Sequence, residues 1–204
     1  MARKITGYIK YLTYDEFKLV ERYINLHTNK SMQMCIKVMM YLGLRVSEAV
    51  SLKKENFNAD YTLLTYKLKK SDRIKDRRVP EFLAKELKAF STYRDYNREK
   101  DFLFYSKFND HVQPSGVRYF FVRMRKRLSL DQVYYTCKDG KKLYRVSPHT
   151  LRHYAIYRYY KASGNDIIKA QQIIGHKEFK TTAKYINSLE SKNDELQIIE
   201  KAFN

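Results

Sequence analysis

The stretch "SPHTLRHYAIYRYYKASG", residues 147–164, sets two histidines and an arginine within five positions. Ser147 is a favourable N-cap and Pro148 a favourable first helical residue, so His149, Thr150, Leu151 and Arg152 fall in the first turn of a predicted helix. His149 and Arg152, three apart, then share a face. Unpaired N–H groups and the positive end of the macrodipole favour an anion there, and a guanidinium adds a two-pronged grip on oxygen. The chemistry this suits is phosphate binding. By itself the stretch fits a capped or core histidine equally well. The tyrosines that follow, Tyr154, Tyr157, Tyr159 and Tyr160, read as helix body used for packing.

Two further stretches bear on the choice. "GLRVSEAVSL", residues 43–52, places Arg45 three residues before Glu48, which alone reads as a local ion pair on a short helix. "IIGHKEFKTTAKYI", residues 173–186, places Tyr185 nine residues after His176. In order and spacing the three stretches resemble the tyrosine recombinase (phage integrase) family. That family's pattern runs GLR-x-x-E, a lysine in a β-hairpin, H-x-L-R-H, L-G-H, and a tyrosine nine residues beyond the last histidine. The resemblance extends from about Leu12 to Ile186.

The resemblance implies a site-specific DNA recombinase of the integrase, excisionase or resolvase type. Tyr185 would attack a DNA phosphodiester to give a 3′-phosphotyrosyl bond and a free 5′-hydroxyl, with no need for ATP. Arg45 and Arg152 would clamp the nonbridging oxygens, where negative charge grows in the transition state. His149 takes the general acid/base position and His176 a hydrogen bond to a nonbridging oxygen, with Glu48 and His153 orienting their neighbours. The leaving 5′-oxygen needs a proton from a hairpin lysine. In "KLKKSDRIKDRRVP" the turn is about two residues longer than the family's, which makes Lys70 the choice and Lys69 the alternative. Lys69, Arg73, Lys75, Arg118 and Arg125 are expected against the DNA backbone.

No cofactor is implied, and the sequence has no carboxylate or histidine cluster at metal-ligand spacing, so a metal-free site is expected. The partners implied are double-stranded DNA and further copies of the chain, dimer to tetramer on DNA, exchanging strands through a Holliday junction. A non-cleaving DNA-binding regulator with a recombinase-like fold is the first alternative, and the retained Arg45, His149, Arg152, His176 and Tyr185 argue against it. A type IB topoisomerase is the second, and the motif spacing fits it less well.

Composition points the same way. A formal charge of +19, from 41 Lys+Arg against 22 Asp+Glu spread along the chain, seeks a polyanion. With 44% apolar residues, 19 Tyr and 11 Phe, the chain is too hydrophobic for a disordered basic tail. Cys35 and Cys137 lie far apart without ligand spacing and are expected as reduced, mostly buried thiols. No apolar run reaches the length of a membrane span and no signal peptide is recognisable, so a soluble, cytoplasmic protein is expected.

The elements that must position these residues are expected to form a mainly α fold with a small antiparallel β-sheet (α+β), the tyrosine recombinase catalytic-domain fold. Residues 1–204 read as one catalytic domain, with 1–12 as lead-in and 188–204 as a tail helix. The family's usual preceding DNA-clamp domain is expected to be absent. Thr13 and Glu16 form a capping box before Phe17, Val20 and Ile24; Ser31 caps a helix carrying Met34, Cys35, Val38, Met39 and Leu42 and stopped by Gly43. Strands are predicted at 61–69 and 77–80 around the charged turn "KKSDRIKD", and helices at about 81–97 and 115–129. Residues 132–146 read as a hairpin with a type I′ turn at Asp139-Gly140. The final segment carries Leu196, Ile199 and Phe203 on one stripe, which covers either its own core or a neighbouring protomer.

Overall fold

The computed structural model describes residues 12–68, 73–92, 102–106 and 111–174. The chain begins with α1 (Tyr14–His27), α2 (Lys30–Leu42) and the one-turn α3 (Val46–Ala49). The capping box is present: Thr13 Oγ1 accepts from Glu16 N at 3.2 Å and Glu16 Oε2 from Thr13 N at 2.9 Å. The second helix starts one residue before the expected cap, because Asn29 Oδ1 accepts from Met32 N at 2.9 Å. Asn is as good an N-cap as Ser and stands two residues earlier. α2 is buried on nearly all sides, so it forms the centre of the core, with Phe17, Val20 and Ile24 of α1 buried nearby.

Gly43 ends α2 in the left-handed region at φ +64°. Adding a side chain here has two costs. A left-handed backbone disfavours any residue with a Cβ by about 1–2 kcal/mol. That Cβ would also lie 3.1 Å from Ile174 Cδ1 and 3.3 Å from Ala155 Cβ. Gly43→Ala is therefore expected to lower the melting temperature by several degrees, at ~2–4 °C per kcal/mol for a chain of this size. Thermal unfolding followed by circular dichroism checks it, and an unchanged midpoint contradicts it.

Strands β1 (Leu63–Lys67) and β2 (Ile74–Arg78) pair antiparallel, with Tyr66 opposite Lys75 and Leu64 opposite Arg77. The return strand thus begins earlier than the expected 77–80, inside the stretch read as a charged turn. Ile74, Asp76 and Arg78 face solvent while Arg77 is buried and Lys75 half-buried, so the charges sit comfortably in a strand with one wet face. Leu68 N donates to Arg73 O at 2.8 Å and closes the ladder. Lys69 and Lys70 lie outside the described residues.

Helices α4 (Glu81–Thr92) and α5 (Pro114–Arg127) bury Leu83, Leu87 and Phe90, and Val117, Phe121 and Met124. A second hairpin, β3 (Val133–Thr136) and β4 (Lys142–Tyr144), follows. Its turn is not the type I′ expected. Of the central pair only Gly140 has positive φ, at +77°, with Gly140 N donating to Cys137 O and Cys137 N to Lys141 O. This is a three-residue loop with a left-handed glycine, and Asp139 instead accepts from Lys141 N at 3.1 Å. Helices α6 (Pro148–Ala162) and α7 (Ile167–Ile174) complete the described fold, α6 packing on both α2 and α7. The architecture is α+β: seven α-helices and two two-stranded antiparallel sheets among the described residues. Cys35 is buried and Cys137 half-buried, both free. The lead-in before Leu12 and the tail helix expected at 188–204 lie outside the described residues, and no described helix is long and apolar enough to cross a membrane.

Candidate active site

The site is built on the C-terminal end of α2. The last carbonyls of a helix have no intrahelical partner and carry the negative end of its dipole. Three successive ones are taken here by side chains from other elements. Tyr41 O accepts from the Tyr159 hydroxyl of α6, Leu42 O from Arg77 Nη1 of β2, and Gly43 O from Arg152 Nη1 of α6. This arrangement draws α6 and the hairpin onto the turn that carries Arg45.

Glu48 organises that turn. Its carboxylate, with no exposed side-chain surface, accepts from Arg45 N at 2.8 Å and Arg45 Nη1 at 2.7 Å. Its other contact is Arg152, whose Nη1 lies 3.8 Å from Glu48 Oε2. Arg45 and Arg152, the two residues expected to clamp phosphate, are thus gathered around one carboxylate. Arg152 is buried and Arg45 is partly open to solvent. Burial first, then the neighbouring charge of Arg45, push the Arg152 pKa down to about 10, which leaves it protonated at neutral pH. Its Nη2 is buried without a hydrogen-bond partner among the described residues. A buried guanidinium N–H with no acceptor is costly, and an anion's oxygen would remove the cost.

The first turn of α6 has Ser147 as N-cap, but its reciprocal partner is Thr150. Ser147 N donates to Thr150 Oγ1 at 3.0 Å, and that hydroxyl donates to Arg145 O at 2.7 Å. His149 is exposed on this turn and His153 buried one turn on, their rings edge to face at 4.5 Å. The tyrosines of α6 are committed to packing: Tyr154 stacks on Phe17 at 4.3 Å, and Tyr160 is buried.

The inner face of the β1–β2 hairpin adds Tyr66, Lys75 and Arg77. Tyr66 is buried with its hydroxyl unpartnered among the described residues, and burial raises its pKa. Lys75 Nζ donates to Gln172 O of α7 at 2.6 Å. Burial and then Arg77 and Arg152 lower its pKa to about 8.

Residues 10–192 match the phage integrase family. The chain belongs to that family. It is 28% identical over 180 residues to tyrosine recombinase XerA of Thermococcus kodakarensis, across 85% of this chain and 58% of that protein. It is 30% identical over 188 residues to a tyrosine recombinase of Thermosipho africanus, across 92% and 59%. The chain therefore spans less than two thirds of these relatives' length. The crystal structure of XerA recombinase superposes with a TM-score of 0.69 at 23% identity, over 94% of this chain and 64% of that one. The XerH site-specific recombinase in its post-cleavage complex with palindromic difH substrate superposes at 0.75 with 18% identity, over 100% and 55%. These likenesses show the tyrosine recombinase catalytic-domain fold.

Within this phage integrase fold the structure brings together Arg45, Glu48 and Arg152, with His149 and His153 on the same helix start. Lys69, Lys70, His176 and Tyr185 lie outside the described residues. Arg73 and Arg118 are exposed. Arg125, expected against the DNA backbone, is buried, its Nη1 donating to Val146 O at 3.0 Å and its guanidinium lying 4.0 Å from the Tyr144 ring. It ties α5 to the strand leading into α6. Lys75 likewise spends its ammonium on a backbone carbonyl of α7. Arg77 and Tyr66 belong to no motif in the sequence; their signal is the strand alternation that puts both on the inner face with Lys75.

Proposed function

We infer that this chain is the catalytic part of a site-specific tyrosine recombinase that cuts and rejoins double-stranded DNA. The observation that carries the reading is the pair Arg45 and Arg152 around buried Glu48, with Arg152 Nη2 left without an acceptor. A tetrahedral phosphate oxyanion supplies that acceptor, and the demand for it grows as charge builds on the nonbridging oxygens in the transition state. Tyr185 Oη attacks phosphorus as the bond to the 5′-oxygen breaks. His149 assists removal of the phenolic proton, and His176 donates to a nonbridging oxygen. Lys70, or Lys69 beside it, supplies the proton with which the 5′-oxygen leaves as a hydroxyl. The phosphodiester energy is kept in the phosphotyrosyl bond, so a second 5′-hydroxyl reverses the step on a new strand. Paired protomers on two sites, dimer to tetramer, would exchange strands through a Holliday junction within the DNA-containing compartment of the cell.

The test uses a duplex site selected by the protein from randomised DNA, then nicked next to the cleavage point so that the short 5′-hydroxyl fragment diffuses away. A covalent protein–DNA adduct that survives denaturing electrophoresis is expected. No adduct from the wild type on its selected site would leave a non-cleaving DNA-binding regulator as the reading. Adduct formation and relaxation on DNA of any sequence would turn it into a topoisomerase.

A further inference from the structure

Arg77 is a buried arginine that the proposed chemistry does not use. It is 4% exposed, and among the described residues no carboxylate lies within ion-pair distance of it. A buried charge without a counter-ion is expensive unless dipoles replace the lost water. Here they come from two helix ends. Arg77 Nη1 donates to Leu42 O at the C-terminus of α2, and Nη2 to Ile173 O in the last turn of α7. The C-terminus of α2 carries roughly half a negative charge, and the carbonyl dipole of Ile173 adds to it, so together they offset much of the guanidinium charge.

The bridged points matter for what lies beside them. Leu42 precedes Gly43, whose carbonyl holds Arg152. Lys75, on the same face of β2, fixes Gln172 O one residue before the Ile173 contact. The two elements also approach closely: a Cβ added at Gly43 would lie 3.1 Å from Ile174 Cδ1 and 3.9 Å from Arg77 Nη1. In the chain, His176 follows Ile174 by two residues and Tyr185 by eleven. Whatever sets the end of α7 therefore sets where that segment starts relative to the two arginines.

We propose that Arg77, assisted by Lys75, is a positioning residue: its planar fork locks the end of α7 to the C-terminus of α2, beside the carbonyl that holds Arg152, and so fixes the point from which the chain runs on in sequence to His176 and Tyr185. The inference rests on the recombinase reading given above. A lysine at 77 keeps the charge but presents a single point donor that cannot bridge two carbonyls in one plane. A methionine fills the space and buries no charge. Neither holds both ends.

The experiment measures single-turnover cleavage of the nicked duplex at saturating protein, half-saturation for that DNA, and the melting temperature, for wild type, Arg77→Lys and Arg77→Met. In Arg77→Lys, half-saturation is expected within about twofold of wild type while the cleavage rate falls roughly ten- to hundredfold, the size of effect seen when reacting groups are misplaced by about 1 Å. Arg77→Met gives the same split and takes over the test if the lysine variant does not fold. A cleavage rate within about twofold of wild type in a folded variant overturns the role. So does loss of affinity and rate together in proportion to lost folded protein, or failure of both variants to fold, since each assigns Arg77 to structure alone. Absence of adduct from the wild type overturns the recombinase reading instead and is recognised before any variant is compared.

Discussion

Tyr185→Phe is expected to abolish the covalent adduct while leaving DNA affinity and the melting temperature unchanged. Phenylalanine keeps the ring and removes only Oη, the atom that bonds to phosphorus in the proposed reaction. A phenol is a weak nucleophile at its usual pKa of about 10, so the reaction depends on a base to take its proton and on cations that offset the repulsion between phenolate and phosphodiester. With no oxygen neither can help, and the loss is complete. The chain has many tyrosines, and the control is chosen from the helix that also carries His149 and Arg152. Tyr159 gives its hydroxyl to Tyr41 O, so Tyr159→Phe removes one partly buried hydrogen bond, ~1 kcal/mol, and adduct formation persists. Trapping on the nicked duplex with both variants separates the roles. An undiminished adduct from Tyr185→Phe would end the assignment of the nucleophile.

What the sequence revealed follows the range of the interactions. Arg45 caps the helix whose third residue is Glu48, and His149 and Arg152 lie three apart near the start of α6, so both pairs are set by local chain geometry and their motifs are legible without a fold. The elements were also legible where local chemistry sets them, as with the Thr13–Glu16 box and the left-handed Gly43. Arg77 was not, because its partners Leu42 and Ile173 are 35 and 96 residues away, and nothing in "RRVP" announces them. Arg125 has an inward turn that is illegible for the mirror reason. It stands among Arg123, Lys126 and Arg127, which are exposed, and only the approach of Tyr144 and Val146 reveals that this arginine turns inward. The hairpin misled because a run of charges marks a turn and the wet face of a strand alike. Its β2 register separates them: alternate residues point outward, and Lys75 and Arg77 between them point in.

Arg152 carries the second large effect, and two substitutions divide its work. Arg152→Lys retains a positive charge near Glu48 but lacks the second terminal nitrogen, the one now buried without an acceptor. If that nitrogen serves the transition-state oxyanion, cleavage falls by about 10²–10³, or ~2.7–4 kcal/mol, the cost of removing one such donor, while melting changes little. Arg152→Met removes the charge altogether. The Glu48 carboxylate, wholly buried and 3.8 Å from Arg152, then keeps Arg45 as its remaining cation, and Gly43 O loses its donor. Arg45 still neutralises Glu48 at 2.7 Å, so the loss falls below the about 3–5 kcal/mol of a buried pair broken to leave one charge alone, and this variant is expected to lose some stability as well as cleavage. Replacing both members, Arg152→Met with Glu48→Gln, removes the carboxylate that Arg45 alone would then neutralise; Arg45 is partly open to solvent and tolerates that loss, so part of the melting temperature should return without any cleavage. That contrast is the decisive measurement. Stability and activity restored together would mean that Arg152 serves the fold alone, whereas stability restored without activity means that the unpaired nitrogen belongs to the phosphate.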